Sequence, residues 1–541
     1  MYIEKKQYLC TLFHMCAMRT PYIERNMRKI GYIIILLALG LSVYAAPARR
    51  GWMPRVLADG TEVEVQQYGD EYYHFMVTRD GKMVEETGDG LRITDEPVPT
   101  AEQVAARRAK RAPQAVGKPN LAPRGLVILA SFSDLPIAEY NTSISIDSMM
   151  NIPGYDYHGS TGSARDYFIA QSDSQYMPMF DVVGPVTLPH NRAYYGGGYP
   201  DTNPRQMIVD ACQLVDDVVD FTQYNNDNDS YVDFVYVIYA GIGENDRDGE
   251  SDAVWAHNGS ASSKNCIVDG LRVSNYACSG DIDGITKDRN GIGVLCHEFS
   301  HVIGLPDYYS TNGACPPIFG EWSIMDYGCY NHDALTPPNY SIFDKYFMGW
   351  VTPEVLKKDS AMNVVLSADY DDAYQITGGD ALLPYSTTNT VYYIENRQNT
   401  GWDAYLPGHG MLVWRVSFDQ SSWNNNRVNY TMGSPRYTVY SAANGLMTNG
   451  DNVWSTAADP FPGTGNVTEW TPFEGCALTE IAETNGQITF KLNGGAPVDP
   501  TDVVMANGEG RKANGRKIIR NGQLIIVRGE KEYNAQGAQI R

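Results

Sequence analysis

The sequence predicts an α+β architecture: a β-rich N-terminal segment, a central domain that mixes helices with buried strands, and a C-terminal β-sandwich. Three observations predict it. Residues 59–91, DGTEVEVQQYGDEYYHFMVTRDGKMVEETGDGL, alternate apolar and polar positions between DG turns, the pattern of a small β-meander. The apolar runs RGLVILA (124–130) and FVYVIYAG (234–241) alternate with helical spacing at 163–175, 204–221 and 291–303. After about Leu356 the pattern changes to short strands between turns, such as TVYYIENR, GMLVWRVSF and GQITFKLNG. The 37 tyrosines against 15 phenylalanines suit β-rich surfaces with half-buried rings.

With 541 residues, three or four structural units are expected. Residues 1–26 are an N-terminal extension that a false start codon would explain, and residues 27–45 are an expected signal peptide. Arg28 and Lys29 supply its positive region, Ile30 to Val43 its apolar region, and Val43-Tyr44-Ala45 its small-residue cleavage site. That apolar run is shorter than the ~20 residues a spanning helix needs. No later segment reads as transmembrane, so a secreted or cell-surface location is expected. Residues 46–123 end in the basic stretch AEQVAARRAKRAPQ, expected to be protease-accessible. They read as a removable pro-segment, with an accessory β-domain and linker as the alternative. Residues 124–360 form the central domain and 361–495 the sandwich. Residues 496–541 are a linker and a tail expected to end in a β-hairpin.

Charge and cysteines narrow the function. Lys+Arg 42 against Asp+Glu 64 gives a net charge of −22, which repels a phosphate backbone and excludes nucleic acid as the main partner. The nine cysteines include no CxxC pair, so a zinc ribbon is excluded. Export permits disulfides, and Cys266 with Cys278, and Cys315 with Cys329, are expected candidates.

The chemistry concentrates at Gly293–Asp307, G-V-L-C-H-E-F-S-H-V-I-G-L-P-D. In His297-Glu298-x-x-His301 the two histidines share one helical face, so both imidazoles reach one metal. Glu298 projects beside them, where a general base can activate a zinc-bound water. A catalytic zinc needs a third protein ligand. Gly304 ends the helix and Pro306 prevents its continuation, so the chain turns back toward the metal at Asp307. Metzincins carry histidine at that position, and a carboxylate is a competent substitute. Downstream, Trp322-Ser323-Ile324-Met325-Asp326-Tyr327 has the form of a metzincin Met-turn. Met325 is its expected apolar floor and Tyr327 a candidate donor to the oxyanion. An amphipathic core helix with satisfied histidines is the bland alternative for HExxH, and plain packing is the one for Tyr327.

These motifs, with GSARDYF, VVGPVTLP, YVDFVYVIYAGIGE, WAHNG and FMGW, resemble the immune-inhibitor-A family of secreted bacterial metallopeptidases, peptidase family M six. YYIENRQNTGWDAYLPGHGMLVWRV and DPFPG extend the resemblance into the sandwich, from Arg124 to about Gly495. Ser300 stands where that family more often has glycine. The resemblance implies a metzincin-like zinc-peptidase catalytic domain, a pro-segment, and endopeptidase action on protein or peptide substrates. The tail is similar to sorting signals of exported proteins. Oligomeric state is not legible.

Asn225, Asp227, Asp229 and Asp233 carry oxygens at spacings that suggest a Ca2+ loop. Ser230 where glycine is wanted, and Tyr236 where glutamate is wanted, leave an Asx-rich turn as the alternative. His257, His332 and His409 lie in Gly- or Asn-rich loops and read as structural. Residues 46–123 contain no cysteine, which excludes cysteine-switch latency. The functional alternative from a different class is a non-catalytic adhesin or glycan-binding protein using the sandwich, which would expect a decayed HExxH.

Overall fold

The computed structural model describes residues 44–495 except 71–72, 88, 101–102, 105–123, 199–200, 312–317, 378–389, 432 and 448–454, together with three tail strands within 516–534. The expected signal peptide lies outside the described residues up to residue 43, while its last two residues, Tyr44 and Ala45, are described; the basic cluster 107–111 and Cys315 lie outside them.

A six-stranded sheet organises the central domain. Its strands are β1 (Tyr44–Ala45), β2 (Arg124–Ser131), β3 (Met179–Thr187), β4 (Val235–Ile242), β5 (His257–Ser260) and β6 (Asn275–Ile282), in the order β1-β5-β6-β4-β2-β3. The four strands β6, β4, β2 and β3 are parallel, β5 is antiparallel to β6, and β1 is antiparallel to β5. Leu126–Ala130 and Val235–Ala240 are buried along their whole length, which explains their continuous rather than alternating apolar sequence. The helices packed with this sheet are α1 (Ser143–Asn151), α2 (Ala164–Gln171), α3 (Pro204–Val215) and α4 (Ile292–Val302). A capping box starts α2: Ser163 Oγ accepts from Asp166 N, and Asp166 Oδ2 accepts from Ser163 N. Pro204, at the first helical position, starts α3.

Every residue of α4 is buried, so packing rather than a side-chain cap defines this helix. Phe299 anchors it, with ring centroids 4.9 Å from Phe168, 5.3 Å from Phe180 and 4.9 Å from Phe234. At Gly293 an added Cβ would stand 2.0 Å from the Cys329 carbonyl oxygen. Only glycine lets the turn Tyr327–Tyr330 lie this close to the start of α4.

N-terminal to the central domain, Met53–Val56, Glu62–Asp70, Tyr73–Thr78, Met83–Thr87 and Gly90–Ile93 form an antiparallel meander in chain order. C-terminal to it lie a six-stranded and a four-stranded sheet. Val364, Ile376, Ile394, Val413, Leu478 and Ile488 share one core between them. On the other side of the six-stranded sheet, Tyr393, Leu412, Trp414 and Tyr437 join the core that holds α4. Burial on both faces accounts for the unbroken apolar run in GMLVWRV.

Two expectations are corrected. Cys266 and Cys278 are both buried free thiols; Cys278 Sγ lies 3.4 Å from His257 Nδ1. The tail has three antiparallel strands, Arg516–Arg520, Gln523–Arg528 and Lys531–Asn534, rather than a two-stranded hairpin.

Candidate metal centre

Helix α4 carries His297, Glu298 and His301 into the interior below the β5 edge. The helix ends at Gly304, whose φ of +110° is open to glycine, and Leu305 N donates to Ser300 O at 3.0 Å. That reversal returns Asp307 to the histidines. Asp307 Oδ1 lies 3.2 Å from both His297 Nε2 and His301 Nε2, and the two Nε2 atoms lie 3.2 Å apart. Donors around a tetrahedral zinc stand roughly 3.3 Å apart, given Zn–N near 2.0–2.1 Å. Among the described residues this is the one group of three or more His, Cys, Asp or Glu side chains close enough to hold a metal ion.

The outer nitrogens fix the tautomers. His297 Nδ1 donates to Ile324 O at 2.6 Å, and His301 Nδ1 donates to Leu305 O at 2.7 Å. Carbonyl oxygens only accept, so both Nε2 lone pairs are turned toward Asp307. Asp307 Oδ1 has no hydrogen-bond donor although it is fully buried. An acceptor-only triangle of this kind fits a cation. The charge balance agrees in direction. Burial works against the Asp307 carboxylate, but the two imidazoles outweigh it and hold its pKa well below the usual range. Burial likewise opposes the His297 imidazolium, yet Asp307 and Glu298 push its pKa up to about 9, so the triangle favours a positive charge at Nε2, a proton or the cation that would replace it.

Glu298 is buried beside the triangle, and burial pushes its carboxyl up to about 8. Its Oε1 accepts from the backbone N–H of Ala46 at 2.7 Å, and its Oε2 has no partner. The segment carrying Ala46 pairs with the sheet edge as β1: Tyr44 stands opposite Asn258 and Ala45 opposite His257. Sequence reasoning did not place this strand at the site.

Met325 is fully buried, and the turn around it supplies the Ile324 carbonyl that holds His297. Tyr327 starts the next turn, and its hydroxyl accepts from Arg50 Nε at 3.1 Å. Asp326 Oδ2 accepts from the amides of Ile318, Phe319 and Gly320, which commits it to the loop rather than to the triangle. A residue that no sequence pattern announced is Asn426, from the C-terminal part. Its Nδ2 donates to Asp307 Oδ2 at 2.5 Å, and its Oδ1 accepts from Asp307 N at 2.8 Å.

The remaining expected residues lie elsewhere. Asn225 Oδ1 and Asp227 Oδ1 accept from Asp229 N, Asp229 Oδ1 from Tyr231 N, and Asp233 Oδ2 from Asn226 N. These oxygens face their own loop's amides, the arrangement of an Asx-rich turn. His257 is held by Trp255 O and Tyr276 Oη, His332 by Thr336 Oγ1, and His409 by Glu483; none joins the triangle.

Comparison with known proteins agrees with this geometry. Residues 134–350 match the family described as "Immune inhibitor A peptidase M6, catalytic domain". The chain is 27% identical over 320 residues to "Immune inhibitor A" of Bacillus thuringiensis subsp. alesti, a match covering 52% of this chain and 44% of that protein. It is 27% identical over 274 residues to "Pre-pro-metalloprotease PrtV" of Vibrio cholerae serotype O1 (strain M66-2), covering 41% and 29%. The chain therefore spans less than half the length of these curated relatives. An immune-inhibitor-A-like M6 metallopeptidase domain occupies the part of the chain that holds the triangle.

Proposed function

We propose that this M6-type metallopeptidase domain makes the chain a secreted, zinc-dependent endopeptidase. The observation that carries the reading is the 3.2 Å triangle of His297, His301 and Asp307 donor atoms, with Glu298 beside it at a sheet edge that binds an extended strand. Zinc held by these three residues would supply Lewis-acid polarisation of the scissile carbonyl. Glu298 takes a proton from the attacking water and returns it to the departing amine. The edge of β5 holds the substrate backbone by strand pairing, as it now holds β1. Tyr327 donates to the negative charge that develops on the carbonyl oxygen, once its hydroxyl no longer meets Arg50. The protein is expected to degrade casein, to lose that activity with a chelator, and to regain it when zinc is restored. No turnover in the zinc-loaded, processed protein would return the question to the non-catalytic adhesin reading.

Residues 46–123 act as a pro-segment in this reading. The support is that Ala46 N–H occupies Glu298 and Arg50 occupies Tyr327. Maturation is expected at the basic cluster Arg107-Arg108-x-Lys110-Arg111, checked by N-terminal sequencing of the active secreted form. A mature start near Ala46 in an active enzyme would sink the pro-segment.

A further inference from the structure

The segment that reaches Glu298 continues past it, and its next side chains are seated in the central domain. Ala46 O accepts from Trp255 Nε1 at 2.9 Å, Pro47 O from Tyr330 Oη at 2.7 Å, and Arg49 N donates to Asn245 O at 2.7 Å. These contacts use backbone groups that any extended peptide offers. The Arg49 side chain is different. Its Nη1 lies 3.0 Å from Asp246 Oδ1 and 2.5 Å from Asp283 Oδ2, its Nη2 lies 3.0 Å from Asp333 Oδ1, and its Cζ stands 5.1 Å from the Tyr330 ring centroid. Only 5% of Arg49 is exposed.

Asp246 and Asp283 do not depend on Arg49 for their orientation. Asp246 accepts from Arg247 N and Gly284 N, and Asp283 Oδ1 accepts from Ile285 N, Thr286 N and Thr286 Oγ1. Asp246 Oδ1 and Asp283 Oδ2 are thereby aimed at the guanidinium by the central domain itself. When residues 46–123 depart, two oriented carboxylates and an aromatic face are left without their cation and open to water. Their fixed orientation beside the ring face suits another guanidinium or ammonium group.

We propose that Asp246, Asp283 and Asp333, with the ring of Tyr330, form a specificity pocket for an arginine or lysine side chain of the substrate. The inference deepens the endopeptidase reading and rests on it. Strand β1, the last two residues of the expected signal peptide, is antiparallel to β5, and Ala46 presents its nitrogen to Glu298; cleavage after Ala45 makes that nitrogen a terminal amine where a leaving amine would collect its proton. On that register Ala46 occupies the first position after the cleaved bond and Arg49 the fourth. A basic residue four places beyond the cleaved bond is therefore the preferred feature.

The test is peptide binding to the processed, zinc-loaded protein, carrying Glu298→Gln so that the peptide survives. The probes are labelled peptides spanning residues 44–52, YAAPARRGW, and its Arg49→Ala and Arg49→Lys forms. The Arg49→Ala peptide is expected to bind at least about 30-fold more weakly, with the Arg49→Lys peptide between the two, because a buried charge pair loses its partner. Asp283→Asn in the protein is expected to shrink the Arg/Ala ratio to within about threefold. Asp333→Asn, at a side chain 42% exposed, should narrow the ratio less, and it keeps the test open if the buried variant does not fold. Equal binding of the Arg and Ala peptides overturns the proposal, and so does an unchanged ratio in both aspartate variants. Abolition of the discrimination by millimolar calcium, with one calcium fewer bound in Asp283→Asn, would make the pocket a cation site and overturn it as well. Casein turnover by the protein with Glu298 intact is read separately. Peptide discrimination without turnover would sink the endopeptidase reading and leave the basic-peptide pocket standing.

Discussion

Glu298→Gln is expected to leave about one zinc per chain in place while proteolysis falls by at least the roughly 10²–10⁴-fold that general acid–base catalysis supplies. The separation of the two readouts follows from position. His297, His301 and Asp307 close the triangle by themselves, and no Glu298 oxygen belongs to it. Glutamine keeps the length of the side chain and keeps an oxygen that accepts from Ala46 N–H, so the N-terminal segment should still dock. What the amide lacks is the ability to take up a proton and pass it to the leaving nitrogen. Metal analysis and casein turnover of the same preparation decide it. Zinc lost together with activity would make Glu298 a ligand and overturn the assignment.

The parts of this site that were legible in the sequence are the local ones. Helical periodicity alone puts His297 and His301 on one face, and Gly304 with Pro306 is a local instruction to stop and turn. Asp307 follows from that turn, and the Met-turn lies only 18 residues beyond it. Asn426 was not legible, because it meets Asp307 from 119 positions away and nothing in its Asn-rich turn distinguishes it from its neighbours. The path of Tyr44–Arg50 was hidden for the same reason: Ala46 and Glu298 are 252 positions apart. An alanine backbone amide carries no sequence signature. The Cys266–Cys278 expectation failed on side-chain direction. Cys278 on β6 faces Trp255 and His257, whereas Cys266 lies toward Asp210, Asp216 and Cys212 near α3, so closeness in sequence did not bring the sulfurs together.

Asp307→Ala is expected to lose zinc and activity together. Two histidines on one helix leave a catalytic zinc one protein ligand short. Asp307 Oδ1 is the buried oxygen that faces both Nε2 atoms, and Asn426 holds the other carboxylate oxygen so that Oδ1 stays aimed. Removing the carboxylate therefore removes a ligand and leaves the imidazoles facing an empty corner. Asp307→His is expected to retain metal, since it restores the commoner three-histidine set. Asn426→Ala should be the milder change, with zinc affinity falling about 10–100-fold because an orienting contact is lost rather than a ligand. Metal content by mass spectrometry, with chelator competition for affinity, separates the three variants from the parent. The downstream carboxylates are poor substitutes: Asp326 already receives three backbone amides, and Glu321 lies outside the cluster. Full zinc occupancy with unchanged affinity in Asp307→Ala would remove Asp307 from the ligand set and turn the search to the unpartnered oxygens, Asp326 Oδ1 and Glu321 Oε2.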